Sequence, residues 1–308
     1  VPTPLIGTDA FQECDTVGIT RPCTKHNWLV NSVDQLTRVM HEAFYVATNG
    51  RPGPVVIDIP KDVQFATGTY AGPANVVHKT YRPKIKGDVN AITRAVELMA
   101  GAKKPVFYTG GGVINSGPNA SVLLRQLAQM TGYPVTSTLM GLGAFPASDK
   151  NWLGMLGMHG TYEANNAMHD SDLIICVGAR FDDRVTGRLD AFAPNAKKIH
   201  IDIDPSSINK TVHVDIAIIG DCAHVLEDMI RIWKSKVAQP NKEALADWWR
   251  QINTWRGRDC LAYEQEKDGL IKPQYAIERL YELTKDRETI ITTEVGQHQM
   301  WAAQHYHF

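Results

Sequence analysis

The chain has 308 residues, enough for about two domains of ordinary size. Hydrophobic residues make up 44% and charged residues 21%, as in most soluble proteins. The formal net charge of −1 excludes a large basic field for attracting nucleic acid or an anionic membrane. No apolar run approaches the roughly 18 residues of a membrane-spanning helix.

The cysteines indicate the redox compartment. They are five in number and scattered, with no CxxC and no Cys/His pairing at zinc spacing. An odd count without a disulfide framework predicts a reducing, cytoplasmic environment. Cys176 lies within an apolar run, which favours a small core residue.

The first predicted elements are a helix and a strand. Apolar residues recur at helical spacing after Ser32, and the helix ends at Gly50. The run Pro54–Pro60 predicts a short strand. We interpret residues 1–65 as the last part of an α/β domain and residues 66–84, which are rich in glycine and proline, as a linker.

Strands and helices then alternate. Asp88 is a candidate N-cap for the first helix of this region, and further helices are predicted after Pro118, after Thr161 and up to about Lys234. Five strands are predicted, at Pro105–Thr109, Pro134–Thr138, Leu173–Val177, Lys198–Asp204 and Asp215–Ile219. The alternation predicts an α/β fold, with a doubly wound parallel sheet at residues 85–235.

The last part of the chain has a different pattern. Residues 236–270 are polar, rich in tryptophan and helical in spacing, and we interpret them as a helical linker. Residues 271–308 predict the start of another domain, with a helix around Tyr275–Leu283 and a strand at Glu288–Thr293.

Glycine-rich and charged segments follow the predicted strands, where open parallel sheets bind ligands. Thr109–Gly117 lies between a strand and a helix, so its backbone could approach a phosphate. It lacks strict GxGxxG spacing, and such a turn also occurs without a ligand. Gly178–Gly187 carries two arginines and two aspartates, which either bind a charged ligand or staple the loop by salt bridges.

Two further segments leave alternatives open. Leu153–Thr161 alternates glycine with methionine, which suits either an apolar wall against a flat ring or a buried methionine cluster. An acidic residue such as Asp202 could accept a hydrogen bond from a ribose or an adenine amine. Asp204 could equally cap a helix ahead of Pro205.

Eight segments together resemble the large subunit of acetohydroxyacid (acetolactate) synthase, a thiamine-diphosphate-dependent family. They are GTDAFQE from Gly7, TKHN from Thr24, RPGPVVIDIPKDVQ from Arg51, GLGA from Gly141, LGMLGMHGT from Leu153, GARFDDRVTG from Gly178, HIDIDP from His200 and EVGQHQMWAAQ from Glu294. The resemblance covers essentially the whole chain, in order.

The resemblance implies three α/β domains. Residues 1–65 would end the pyrimidine-binding domain, residues 85–235 would form a whole Rossmann-like FAD-binding domain, and residues 271–308 would begin the pyrophosphate-binding domain. The family's catalytic glutamate would lie before Val1 and its metal-binding motif beyond Phe308. We therefore expect an internal fragment that is inactive alone and has no metal ligands of its own.

The resemblance also implies roles for single residues. The Arg184 guanidinium would recognise the carboxylate of the second 2-keto acid, with Asp183 holding its orientation. Phe11, Gln12 and Lys61 would serve catalysis. The substrate and inhibitor channel would include Asp183 and also Pro2, Met158 and Met300.

Two cofactor sites follow from the same resemblance. The FAD contacts would be Arg21, Gly111, Gly112, Thr138, Leu139, Leu156, Gly157, Met158, His159, Gly178, Ala179, Arg180, Asp182, Val185, Asp202, Ile203 and Asp221. The thiamine diphosphate contacts would be Val295, Gly296, Gln297 and His298.

The implied reaction condenses two pyruvates, or pyruvate and 2-ketobutyrate, to a 2-acetohydroxy acid with release of CO2. It needs thiamine diphosphate, Mg²⁺ and a structural FAD, and it belongs to branched-chain amino acid biosynthesis. Homodimers or tetramers and a regulatory small subunit are the implied partners. The alternatives are a related thiamine-diphosphate decarboxylase or oxidase, and a nucleotide-binding module without catalysis.

Overall fold

The alternation of strands and helices is present in the structure, a computed structural model that describes residues 1–70, 72, 80–236 and 239–308. Parts of the predicted linkers 66–84 and 236–270 lie outside the described residues. Contacts divide the chain into two units, Val1–Lys84 and Ile85–Phe308. The division into three family domains stays a prediction. Within the described ranges, no helix is long and apolar enough to cross a membrane.

The first unit is built around two parallel strands, β1 (His26–Leu29) and β2 (Val55–Asp58). Its helices are α1 (Thr16–Thr20), α2 (Val33–Thr48) and α3 (Lys61–Phe65). Val30, Val39 and Val63 form its small buried core. Strand β1 is an addition to the predicted elements, because its sequence, HNWL, shows no clear apolar alternation.

The second unit contains one six-stranded sheet. Its strands are β3 (Pro105–Thr109), β4 (Val135–Ser137), β5 (Trp152–Met155), β6 (Leu173–Val177), β7 (Lys197–Asp202) and β8 (Ile216–Ile219). Their order is β5-β4-β3-β6-β7-β8, and every neighbouring pair is parallel. The chain builds one half outward from β3 and then returns to β6 on its other side, which is the doubly wound, Rossmann-like order. The predicted fold class is confirmed.

The described part of this unit contains nine α-helices. They are α4 (Val89–Gly101), α5 (Gly111–Asn115), α6 (Pro118–Thr131), α7 (Tyr162–Asp170), α8 (Asp183–Thr186), α9 (Cys222–Ser235), α10 (Lys242–Arg256), α11 (Pro273–Thr284) and α12 (Gln297–His305). Asp88 caps α4 as predicted, accepting from the Ala91 amide at 2.7 Å. Helices α4, α6 and α9 share a core with one face, and α7 and α10 share a core with the other. Strands β3 and β6 are buried throughout, which explains their continuous apolar runs.

Two predictions about strands need correction. Residues Trp152–Met155, not predicted as a strand, form the edge strand β5, which contains a glycine and pairs with β4 across a register shift. The predicted strand at Glu288–Thr293 is wrong. That segment is largely exposed, with Ile290 at 87%, and no described strand offers it backbone hydrogen bonds.

Helix α10 lies within the predicted helical linker but packs tightly on the sheet. Trp248 is 1% exposed, and its indole N–H donates to the Pro105 carbonyl at 3.0 Å. The Arg256 guanidinium donates to the carbonyls of Lys150, at 3.3 Å, and Trp152. Since Trp152 begins β5, Arg256 covers part of the open edge of the sheet.

Candidate functional site at the carboxyl ends of the strands

The structure brings the predicted FAD-contacting residues of the second unit to one edge of the sheet. All six strands are parallel, so the loops that follow them leave from the same edge. These residues are Gly111 and Gly112 after β3, Thr138 and Leu139 after β4, Leu156, Gly157, Met158 and His159 after β5, Gly178, Ala179, Arg180, Asp182 and Val185 after β6, Asp202 and Ile203 at the end of β7, and Asp221 after β8.

At the centre of this edge, the loops after β3 and β6 touch through their backbones. The Gly112 amide donates to the Gly178 carbonyl at 2.9 Å. A Cβ on Gly112 would lie 2.6 Å from the Gly178 Cα, and one on Gly178 would lie 2.8 Å from the Gly112 Cα. Loop packing therefore requires both glycines. The Gly112 N–H is already used within the protein.

The loop after β5 is held by its neighbours. Asn165 accepts from the Gly157 amide at 2.7 Å and donates back to the Gly157 carbonyl at 3.0 Å. The Met158 amide donates to the Arg184 carbonyl at 3.1 Å, which ties this loop to α8. Of the two methionines in Leu153–Thr161, Met155 is buried and Met158 is 61% exposed, so each interpretation fits one of them. With Met140, which is 75% exposed, Met158 offers polarizable apolar surface at the strand ends.

The charged loop after β6 contains one close salt bridge and one largely exposed guanidinium. Arg180 pairs with Asp182 at 2.8 Å, and Asp182 caps α8 by accepting from the Arg184 amide. This backbone hydrogen bond is the main reason that the pKa of Asp182 is lowered. The Arg184 guanidinium is 72% exposed and lies 4.0 Å from Asp183, too far for a hydrogen bond. Arg184 is therefore accessible to a carboxylate ligand, and its orientation by Asp183 stays a prediction.

The aspartates at β7 have contacts within the protein. Asp202 accepts from the Asp204 amide at 2.8 Å, and its other oxygen lies 3.7 Å from Nε2 of His200. Asp204 accepts from the Ser206 amide at 2.9 Å and so caps the turn that begins at Pro205. The capping interpretation of Asp204 is confirmed.

Asp221 is an N-cap as well as a predicted FAD contact. One carboxylate oxygen accepts from the Ala223 amide at 3.0 Å, and the other accepts from the Ser116 hydroxyl at 2.7 Å. These bonds join α9 to the end of α5. A contact with FAD would use the remaining acceptor capacity of this carboxylate.

Two side chains beneath the β6 loop were not predicted from the sequence. Tyr108 donates its hydroxyl proton to the Arg180 carbonyl at 3.0 Å, and His200 Nε2 lies 2.8 Å from the Ala179 carbonyl. Both are buried. Their signal in the sequence is a polar residue inside an otherwise apolar strand, which by itself also fits a satisfied core residue.

In the first unit, a carboxylate organises the loop that carries Phe11 and Gln12. Glu13 accepts from the amides of Gly7 and, at 3.0 Å, Ala10. Gln12 has a φ of 61°, an uncommon value for a residue other than glycine, and Phe11 is 89% exposed. The loop therefore presents these two side chains outward from a backbone held by Glu13.

The other predicted residues of the first unit lie in two places. Pro2 and Lys61 are in neighbouring segments, because the Lys61 amide donates to the Val1 carbonyl at 3.2 Å and Asp62 accepts from the Thr3 amide at 2.8 Å. Arg21 is exposed in a short 3-10 turn.

The predicted thiamine diphosphate residues surround the start of α12. Val295 is 79% exposed, Gly296 precedes the helix, and Gln297 and His298 begin it. Met300 is half-buried in the same helix. Gln304, near its end, donates to the His159 carbonyl at 3.0 Å, so α12 contacts the loop after β5.

The strand-end edge fits an extended flavin dinucleotide in three respects. The strand order reverses between β3 and β6, Met140 and Met158 offer surface for a flat ring, and Arg180 adds a cation. In the part of the chain that the structure describes, no group of three or more His, Cys, Asp or Glu side chains could hold a metal ion.

Comparison with known proteins agrees with this arrangement. Residues 92–229 match the model of the thiamine pyrophosphate enzyme central domain. The chain is 48% identical, over 100% of its length, to the acetolactate synthase isozyme 3 large subunit of Escherichia coli (strain K12), of which it covers 53%. The chain is a homologue of the acetolactate synthase large subunits. The predicted resemblance is confirmed.

Two further relatives support the same conclusion. The acetolactate synthase large subunit of Haemophilus influenzae is 47% identical over 99% of this chain, which covers 52% of that protein. The acetolactate synthase of Mycobacterium bovis is 49% identical over 97% of this chain, which covers 48% of that protein. The chain spans about half the length of the curated relatives that it matches.

We predict that Gly178→Ala destabilises the protein. Gly178 has a φ of 60°, and an added Cβ would meet the Gly112 backbone. The free energy of unfolding should fall by about 2–4 kcal/mol, measured by urea denaturation. The control is Gly101→Ala at the end of α4, where a Cβ meets nothing within 4 Å and the change should be neutral or favourable by up to about 1 kcal/mol. Equal stability of the two variants would contradict the loop contact.

We also predict that the Gly7–Glu13 loop loosens at low pH. The Gly7 backbone hydrogen bond lowers the pKa of Glu13 below its ordinary value of 4.5. The stabilisation is therefore complete above that value and is lost as the pH falls through the lowered pKa. NMR shifts of the Gly7 and Ala10 amide protons should report this step. Glu13→Gln, which has no carboxylate, should abolish it, and an unchanged step in this variant would assign the titration to another group.

Proposed function

We propose that the protein acts as the catalytic subunit of an acetolactate synthase. It condenses two pyruvates, or pyruvate and 2-ketobutyrate, to 2-acetohydroxy acids and releases CO2, at the first common step of valine, leucine and isoleucine synthesis. Similarity over the whole chain to acetolactate synthase large subunits, at 48% identity for that of Escherichia coli, carries the proposal. Because this chain spans about half of these relatives, we expect it to be inactive alone.

Arg184 is the residue proposed to select the second substrate. Helix α8 presents its guanidinium with 72% exposure, and the Arg184 carbonyl is fixed by the Met158 amide. The backbone of Arg184 is thus held in place, while its planar guanidinium stays accessible to the carboxylate of a 2-keto acid. Phe11, Gln12 and Lys61 are proposed to serve catalysis, and Pro2, Asp183, Met158 and Met300 to line the channel.

Two organic cofactors are proposed. Thiamine diphosphate, held in part by Val295–His298, would supply the carbon nucleophile of the condensation together with Mg²⁺. FAD would lie along the strand-end edge, with Met140 and Met158 beside its flat ring and Arg180 near its polar groups. The condensation has no net oxidation or reduction, so the proposed role of FAD is structural.

The cellular compartment and the assembly of the protein are also proposed. We infer a cytoplasmic homodimer or tetramer that binds a regulatory small subunit. The five cysteines, all free in the structure, support a reducing compartment. The names of the relatives, as large subunits, support a smaller partner.

The complete protein, purified with its bound cofactors, tests this function. We expect a yellow protein that forms acetolactate from pyruvate and stays active when FAD is replaced by an analogue that cannot cycle between redox states. Loss of activity with the analogue would contradict a structural flavin. Pyruvate oxidation, or bound ADP without colour, would favour a related oxidase or decarboxylase. Nucleotide binding without turnover would favour a binding module.

A substitution of Arg184 in the complete protein tests its role. Arg184→Ala should lower kcat/KM for the acceptor keto acid by about 10–200-fold, because the carboxylate loses its bidentate partner, while FAD stays bound. Arg188→Ala is the control, since Arg188 is 80% exposed and paired with Asp190 in the same segment. An unchanged acceptor kcat/KM in Arg184→Ala would exclude Arg184 from binding the acceptor carboxylate.

A further inference from the structure

Three polar side chains form a row across the sheet beneath the β6 loop. Tyr108 of β3 lies directly opposite Cys176 of β6, which lies directly opposite His200 of β7. All three are at most 1% exposed, on the face that packs against α7 and α10. We call them the positioning row.

The positioning row binds two successive carbonyls of the loop. The Cys176 thiol donates to the Ala179 carbonyl at 3.0 Å, and His200 Nε2 lies 2.8 Å from the same oxygen. Because a carbonyl only accepts, Nε2 carries a proton, whereas Nδ1 of His200 has no hydrogen-bond partner within the described residues. The Tyr108 hydroxyl donates to the next carbonyl, that of Arg180, at 3.0 Å.

Ring packing and protonation reinforce these bonds. The Phe181 ring is buried, with its centroid 5.7 Å from that of Tyr108 and 5.3 Å from that of His200. Burial raises the pKa of Tyr108, so its hydroxyl keeps the proton that it donates. The loop is therefore held in two ways. Hydrogen bonds from the positioning row hold its two carbonyls, and the Phe181 ring packs against Tyr108 and His200.

Peptide geometry determines where the matching N–H groups point. In a trans peptide the C=O and the following N–H point in opposite directions, and the described chain has no cis bond. Since the Ala179 and Arg180 carbonyls face the positioning row, the N–H groups of Arg180 and Phe181 face away from it. Within the described ranges, neither N–H donates a hydrogen bond.

We propose that Tyr108, Cys176 and His200 are positioning residues that turn the Arg180 and Phe181 amides outward as a donor pair for acceptor oxygens of the flavin dinucleotide. Successive backbone N–H groups of this kind bind phosphate or carbonyl oxygens. The row itself touches no ligand and acts through the two peptide planes. The identity of the ligand rests on the proposed function.

The main test compares two buried tyrosines in the complete protein. Tyr108→Phe removes only the hydroxyl, so the ring keeps its packing against Phe181. Tyr133→Phe is the matched control, because Tyr133 is equally buried and donates to the Met99 carbonyl at 2.5 Å, outside the loop. Both variants lose one buried hydrogen bond to a backbone carbonyl, and only Tyr108 should affect the loop.

Two measurements are made on each variant. The FAD dissociation constant, from quenching of flavin fluorescence, should rise about five- to tenfold in Tyr108→Phe and less than about twofold in Tyr133→Phe. Amide hydrogen exchange of residues 178–182, measured without FAD, should accelerate in Tyr108→Phe only. Unchanged exchange and affinity in Tyr108→Phe would overturn the proposal.

His200 provides a second test through a conservative replacement. His200→Gln can place its amide N–H near the Ala179 carbonyl and should recover much of the loop protection. His200→Leu cannot donate and should lose it. Equal effects of the two variants would indicate a role in packing volume and overturn the positioning role of His200.

The outcomes separate this inference from the function on which it rests. If the unaltered complete protein fails to bind FAD, the flavin part of the proposed function fails and the ligand named here fails with it. Amide hydrogen exchange of residues 178–182 in Tyr108→Phe still decides whether the positioning row holds the two peptide groups. If FAD binds and Tyr108→Phe matches Tyr133→Phe in both measurements, the function stands and the inference fails.

Discussion

The parallel pairing of β3 with β6 is the constraint on which the site depends. It places Thr109 beside Val177, so the chains that leave the two strands meet at once and Gly112 touches Gly178. A side chain at either glycine would push the loops apart. This contact fixes the start of the β6 loop. The end of that loop then anchors Met158 through the Arg184 carbonyl, so the site is one connected backbone assembly.

The sequence predicted the buried strands well because burial on both faces leaves an unmistakable apolar run. Leu173–Val177 is buried at every position and was predicted with its observed bounds. Strand β5 has one neighbour, a glycine in its middle and a register shift, so its pattern resembles a loop. Glu288–Thr293 has a strand-like composition without a described partner strand, and composition alone does not provide one.

The candidate site was predictable in its positions but not in its internal bonds. Glycines and charges after the predicted strands indicated the edge, and the family resemblance supplied residue roles that stay predictions. The sequence could not show that both carboxylate oxygens of Asp221 accept hydrogen bonds within the protein, because Ser116 and Asp221 are 105 residues apart. Nor could it show that Tyr108 and His200 meet one loop, since that follows from strand order and register.

The late position of α10 in the chain affects how the protein is made. Arg256 reaches the β5 carbonyl at Trp152 across 104 residues of sequence, and Trp248 reaches Pro105 across 143. At ribosomal speeds, the first of these intervals takes about 5–20 s to synthesise. During that time the β5 edge of a nascent sheet lacks this cover and can pair with a strand of another nascent chain. Chaperone binding during translation would protect it most in this interval.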